Sequence, residues 1–453
     1  MIERVRTGPL SGVRVLEFST AWAGPYAGRA LAFLGAEVIK IEAPNHPDSW
    51  RGTRSAGAPV YYPELTPGES PQNRSVLFNS QNIDKLSIGL NLKLDGALGV
   101  MYKLVEQADV VLANFTPGVL DRLGIGHADL SKINPRIIVV EMPAFGPGGP
   151  MATHQGMGKT MEPAAGMTAL MGYGDGKPVL TGPAIVDPTG GLNAVSATVT
   201  ALELRERTGV GSRVELAQVE AASHWIGEFV LANADTGINP TPQGNRVDYA
   251  APHDAFACAG DDEWVVIAVE EADQWMALCR AIGDAGLVDD PRFATLEARL
   301  AHQDELDPII ESWTARHGKW EAAGLLQSVG VPAAPVLGGA EIAESEAMRE
   351  ADGLIVSLNH SAVGTRDYSA FGFRHGRTQG AHRYAAPLFG EHNDEVLGDL
   401  LGFDPTEIAE LRASGAVGDR PTADTDTPRT VQTTDVSAAA SDGHLEPAKG
   451  GHA

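Results

Sequence analysis

The sequence predicts an α/β protein built on a parallel sheet, and three observations carry that prediction. The chain opens with a strand–helix–strand unit: "VRVLEF" (13–18), a helical run ending "ALAFLG" (30–35), and "EVIKIE" (37–42). Two strands joined by one helix run parallel, because a tight turn serves only antiparallel neighbours. Two more apolar runs, "DVVLANF" (109–115) and "RIIVVEM" (136–142), each follow helical patterning. Finally, 453 residues with 43% hydrophobic and 21% charged give core enough for two or three domains.

Each element follows from local chemistry. "STAWAGPYAG" (19–28) reads as a Gly/Pro loop, and Gly35 stops the helix behind it. Leu192, Val195, Val199 and Leu202 keep helical spacing until "RTGVGS" (207–212) ends the run. The first part of the large domain spans 1–218, and the linker 219–245 reads as a helix followed by "TGINPTPQGN". A smaller α+β domain covers 246–330, with "EWVVIAV" as a strand. "GVPAAPVL" (330–337) reads as a strand and return path, and 331–418 completes the large domain. Residues 419–453 are rich in Pro, Thr, Asp and Ala without apolar periodicity, which predicts a disordered tail.

Composition excludes several functions. A net charge of −25 argues against nucleic acid as a partner, while leaving room for a small phosphorylated ligand in a local basic pocket. Cys258 and Cys279 sit in apolar surroundings and read as buried and inert. The histidines are scattered without metal-ligand spacing, so no metal is expected. The N-terminus lacks the apolar core of a signal peptide and no run nears 18 apolar residues, so a cytoplasmic protein without a membrane partner is expected.

The stretch "GPAIVDPTGGLNAV" (182–195) holds the most informative residue, Asp187. On local grounds Asp187 reads as a helix N-cap with Pro188 at the first helical position. The first strand–helix–strand unit invites a dinucleotide reading, with Glu42 closing the second strand as a ribose-binding acid would. The G-x-G-x-x-G fingerprint is missing, however: the loop offers Gly24 and Gly28 beside bulky Trp22 and Tyr26, which argues against NAD.

Longer motifs change the weight on Asp187. "LSGVRVLEFSTAWAGPYAGRALAFLGAEVIKIEAP", "ADVVLANFTPGVLDRLGIG", "NPRIIVVEMPAFGPGGP", "ALELRERTGVGSRVELAQVEAA" and "GEHNDEVLGDLLGFDPTEIAEL" resemble the class III CoA-transferases. That family includes formyl-CoA and carnitine CoA-transferases and the α-methylacyl-CoA racemases. The likeness runs in order over about residues 9–418. It implies a Rossmann-like large domain, an interlocked homodimer, coenzyme A as co-substrate with no tightly bound cofactor, and acyl-CoA and carboxylic acid substrates.

"AIVDPTGG" matches the family's catalytic element, so Asp187 is the expected nucleophile, with the amides near Gly190 and Gly191 as candidate oxyanion donors. Thr20, Ala21 and Ala23 match the loop that passes the cofactor, and Lys93 and Arg122 match positions near its nucleotide end. Met157 and Glu162 are expected near the substrate, though solvent exposure is the commoner state of a glutamate. The racemase branch places a histidine where this chain has Met157, and a thioether cannot carry a proton. Racemase and a catalytically silent subunit of a heteromeric transferase are therefore the alternatives. His392, in "GEHNDEVL", is expected to support a helix start. Formyl-CoA transferases carry a basic residue at Ala43 and a glycine-rich flap absent from 240–260, which points to a bulkier acid than theirs.

Overall fold

The computed structural model describes residues 7–52, 59–173, 177–351 and 353–422. Its centre is a six-stranded sheet in the order β3-β2-β1-β4-β5-β6, every neighbouring pair parallel. The strands are β1 (Arg14–Phe18), β2 (Glu37–Glu42), β3 (Leu86–Gly89), β4 (Val110–Ala113), β5 (Ile138–Glu141) and β6 (Arg213–Glu215). The order reverses between β1 and β4, the doubly wound arrangement expected from the opening unit.

Both faces are covered, which is why the central strands read as unbroken apolar runs. Leu16, Ile39, Ile88, Val111 and Val139 pack on one side against the helix Ala97–Glu106 and the C-terminal helix Pro405–Ala413. Val15, Val38, Val110, Leu112 and Val140 face the other side, against the first helix (Ala23–Phe33) and the long helix Val186–Thr208.

The first helix begins at Ala23, so half of the predicted 19–28 loop is helical. The glycines behind that misreading serve tertiary contacts. A Cβ at Gly28 would lie 1.8 Å from Glu17 Oε2, and one at Gly24 would lie 2.4 Å from the Ser19 Cβ. Gly28 thus opens space for a fully buried carboxylate that pairs with Lys85 at 2.7 Å and Lys40 at 3.2 Å. A buried charge needs such partners, since removing either would strand the other in low dielectric.

The segment read as a linker carries two helices, Gln218–Ser223 and Gly227–Thr236. Beyond it β7 (His253–Ala257), β8 (Trp264–Ala268) and β9 (Ala333–Pro335) form an antiparallel sheet with its own core of Phe256, Trp275, Phe293 and Trp313. Because β9 pairs with β8, the small unit extends to Pro335, past the predicted boundary at 330. The return path folds a hairpin, β10 (Ile355–His360) and β11 (Gly364–Ser369).

The returning chain then covers the exposed edge of β3. Ser87 donates its amide to His392 Nδ1 at 3.0 Å, Gly89 to Asn393 Oδ1 at 2.9 Å, and Gly418 donates back to the Gly89 carbonyl at 3.0 Å. His392 also accepts the Val396 amide at its carbonyl, so it pins the sheet edge as well as supporting the helix start. The first residues of the predicted tail, to Thr422, stay packed, with the Thr422 amide on the Pro44 carbonyl. Residues 423–453 lie outside the described residues.

Candidate active site

Asp187 does not cap its helix. The helix starts at Val186, Ile185 occupies the N-cap position with helical dihedrals, and Asp187 is the second residue of the first turn. Its side chain is thereby free to face another element. The backbone N–H groups of Ala23, the first residue of the first helix, and of Asp187 itself act on the carboxylate. Two helix N-termini therefore converge on one carboxylate, and both favour its anionic form. Burial acts the other way and dominates, raising its pKa to about 6. The group remains roughly nine-tenths ionised at pH 7.

The surrounding glycines set this convergence. A Cβ at Gly191 would fall 2.9 Å from the Ala23 carbonyl oxygen, so the long helix meets the first helix at backbone contact. One at Gly190 would fall 2.9 Å from Gln218 Cγ. Both glycines lie beyond the first turn, where helical amides are engaged within the helix. Their place is close packing rather than oxyanion donation. Gly158 meets Asp187 itself: a Cβ there would sit 2.1 Å from Asp187 Oδ2.

Gly158 opens a short helix, Gly158–Ala164, that carries Glu162. Glu162 is fully buried, not in the solvent-facing state commoner for a glutamate. Its Oε1 accepts the Thr181 amide at 2.8 Å and its Oε2 the Thr181 hydroxyl at 2.7 Å. It therefore fastens the segment leading into Asp187 to the helix whose first residue touches Asp187. Met157, just before that helix, is 74% exposed, and His154 packs against Phe145 with ring centroids 5.9 Å apart.

A cleft of about 600 Å³ opens over the C-terminal ends of β1 to β4, where the sheet order reverses and ligands of doubly wound sheets bind. Thr20, Asn91, Lys93 and Asn114 line it, and Gly156 and Met157 form its end beside Gly158 and hence Asp187. The structure thus brings together Thr20, Lys93 and Met157 along the cleft, with Ala23 and Asp187 beyond its end. Arg122 is exposed and outside the lining, although Val119 and Leu123 of the same turn belong to it. Ala43 lines the cleft next to His46, bridged to it as an isolated β-pair.

Two residues that sequence reasoning passed over hold the loop between β1 and the first helix. Asp48 Oδ1 accepts the Ala21 amide at 2.9 Å, and Asn114 accepts the Thr20 amide at 3.0 Å while donating to the Thr20 carbonyl at 2.9 Å. The position of Asn114 immediately after β4 was a usable signal, since the end of a strand beside the reversal point faces the cleft. Among the described residues, no group of three His, Cys, Asp or Glu is placed to hold a metal ion. Among the same residues, no helix is long and apolar enough to cross a membrane.

Known proteins resemble this chain in sequence and fold. Residues 10–393 match the model of CoA-transferase family III. A formyl-CoA:oxalate CoA-transferase of Rhodopseudomonas palustris is 32% identical over 91% of this chain and 98% of its own length. A succinyl-CoA–D-citramalate CoA-transferase of Chloroflexus aurantiacus is 31% identical over 90% and 98%. The crystal structure of a CaiB/BaiF family protein from Brucella suis superposes with a TM-score of 0.77 at 28% identity, covering 87% of this chain and all of that one. The chain belongs to CoA-transferase family III and is an enzyme of that class.

Proposed function

We propose that the enzyme moves coenzyme A from an acyl-CoA donor to a carboxylic acid through covalent intermediates on Asp187. The observation that carries this reading is the Asp187 carboxylate itself, partly buried, largely anionic at neutral pH, and set between two helix N-termini beyond the end of the cleft. A carboxylate is a weak nucleophile, but a thioester carbonyl is already activated, so positioning is what the site must supply.

In the first step an Asp187 oxygen attacks the donor carbonyl, the C–S bond breaks, and CoA leaves as a thiolate. The resulting mixed anhydride is attacked by that thiolate at the aspartyl carbonyl, which expels the donor acid as its carboxylate and leaves an aspartyl-CoA thioester. The acceptor carboxylate then attacks this thioester, again releasing thiolate. Finally the thiolate attacks the acceptor acyl carbon, giving the new CoA ester and restoring Asp187. No net proton moves over the cycle.

The cleft over β1–β4 suits the long CoA chain, with Lys93 toward a phosphate. Ala43 lies along that cleft rather than at Asp187, so the cation missing there bears on CoA and not on the size of the acid. The two relatives carry different acids at nearly equal identity. A homodimer is part of the reading. The helix Gly227–Thr236 buries none of its residues, and Trp225, Val230, Leu231 and Ile238 around it are exposed, a contiguous apolar stretch that a second copy would cover.

The test is chromatography of CoA esters after mixing the purified chain with paired acyl-CoAs and acids: formyl, oxalyl, succinyl, citramalyl and bulkier branched acids. A new ester formed by the wild type and absent with Asp187→Ala supports the reading. Exchange of the acyl α-hydrogen with deuterium from solvent, without transfer, would replace it with a racemase. Transfer that requires a second, different chain would make this one a silent subunit.

A further inference from the structure

We propose that Asp48 and Asn114 are positioning residues for the nucleophile: they lock the turn at Thr20–Ala21 that aims the Ala23 amide at Asp187. The inference rests on Asp187 being the nucleophile.

The chain leaves β1 at Phe18 and enters the first helix at Ala23, so four residues must reverse its course. Ala21 makes the reversal with φ of +63°, a left-handed conformation that an alanine adopts only against a steric penalty. Something outside the turn must hold it there. Asp48, 2% exposed, supplies one clamp: Oδ1 accepts the Ala21 amide at 2.9 Å, the Thr20 hydroxyl at 3.2 Å and the Trp50 amide at 2.9 Å. Its other oxygen pairs with Lys40 at 2.9 Å, both side chains wholly buried. Asn114 supplies the second clamp, holding both backbone groups of Thr20. Two residues further on, Ala23 opens the helix that meets the Asp187 helix at backbone contact, with a Cβ at Gly191 falling 2.9 Å from the Ala23 carbonyl oxygen, and its amide favours the Asp187 anion. If Ala21 relaxed to a right-handed or extended conformation, the following peptides would rotate and that amide would leave the carboxylate.

The charge of Asp48 also argues for this role. An acid in the wall of a cleft meant for a polyphosphate ligand repels that ligand unless it is neutralised, and Lys40 neutralises it. Burial alone would raise the Asp48 pKa; the Lys40 charge and the Trp50 and Ala21 amides more than offset it, so the carboxyl stays below the usual range. Lys40 in turn keeps Glu17 and the Ser19 carbonyl as partners. The whole device therefore fixes a backbone.

The test compares wild type, Asp48→Asn and Asn114→Ala in single-turnover formation of the hydroxylamine-trapped Asp187 adduct across pH, with CoA affinity measured separately. Asp48→Asn fills the same volume but sets an NH₂ group against either Lys40 or the Ala21 amide. Losing one hydrogen bond to a charged group predicts adduct formation slower by about thirtyfold. The pH midpoint should also move up by about one unit, because a stabiliser of the anion is gone. CoA affinity should hold within about threefold, since neither change removes a cation from the cleft. A structural role alone would lower the melting temperature without moving the midpoint. Should Asp48→Asn fail to fold, Asn114→Ala releases the same turn from the other side and predicts the same midpoint shift. Wild-type rate and midpoint in a folded variant, or a loss explained wholly by CoA affinity, would overturn the inference. No adduct in the wild type would instead overturn the nucleophile reading, and this inference with it.

Discussion

Ala23 opens the first helix beside the carboxylate of Asp187, 164 residues later in the chain, where the N-terminal turns of two helices meet and the Ala23 amide favours the Asp187 anion. That single contact ties the opening strand–helix–strand unit to the proposed chemistry, and the predictions below test what surrounds it.

The first concerns pH. With Asp187 raised to about 6 by burial, the attacking anion is lost as pH falls through that value. The rate kcat/KM should be flat above pH 7 and fall about tenfold per unit well below pH 6. A profile measured with a donor whose own groups do not titrate in this range checks it.

The same shift has a stability consequence of opposite sense. The folded value of about 6 lies above the unfolded value near 3.9, so the folded state holds the proton more tightly. Stability contributed by this group is present at low pH and is lost as pH rises from about 4 to about 6, at a cost of roughly 2–3 kcal/mol above that window. Asp187→Asn should therefore raise the melting temperature at about pH 7.5, and the gain should vanish near pH 4. Thermal denaturation at both values measures it.

Gly158 and Gly191 are predicted to be irreplaceable for different reasons. Gly158→Ala puts a methyl against Asp187 Oδ2 and should cut turnover at least tenfold while costing about 1–3 kcal/mol of stability. Gly191→Ala pushes against the Ala23 carbonyl and should separate the two helices, lowering turnover and moving the pH midpoint upward. Kinetics and denaturation on the two variants check both.

Glu162 should separate charge from hydrogen bonding. Glu162→Ala leaves the buried Thr181 amide unpaired, at about 1–3 kcal/mol, and loosens the segment before Asp187. Glu162→Gln can keep that amide on its oxygen and donate to the Thr181 hydroxyl, which turns to the Pro183 carbonyl at 2.7 Å. Near-wild-type stability for Gln and loss for Ala is the expected outcome of a denaturant titration.

The apolar surface around Gly227–Thr236 predicts self-association. Leu231→Glu together with Val230→Glu should convert a dimer to monomers, read as a halved mass in light scattering coupled to size exclusion.

How far the sequence reached depended on where each partner sits along the chain. The parallel sheet was legible because β1, β2, β4 and β5 are apolar runs separated by helical patterns, a local signal. Asp187 was legible through its motif, yet its cap role was misjudged, since the helix starts one residue earlier, with Ile185 already helical at the N-cap position. Gly24 and Gly28 looked like loop residues because their real partners, Asn114 and Glu17, are tertiary contacts. Asp48 was invisible for the same reason, since the amide it holds lies 27 residues away, while for Asn114, whose partner lies 94 residues away, only its place at the end of β4 was legible. Glu162 reads as a surface residue until Thr181 is placed against it. The third strand of the small sheet was seen as a strand but assigned to the return path, because nothing local to Ala333–Pro335 names its partner β8.

The most direct measurement is intact-protein and peptide mass spectrometry after incubation with an acyl-CoA, quenched with hydroxylamine or borohydride. Hydroxylamine converts an activated aspartyl group to the hydroxamate, and borohydride reduces the aspartyl-CoA thioester to an alcohol. The predicted result is modification at Asp187 alone, dependent on the acyl-CoA and absent from Asp187→Ala. CoA transfer by the wild type with Asp187 unmodified under both quenches, or transfer that survives Asp187→Ala, would contradict it.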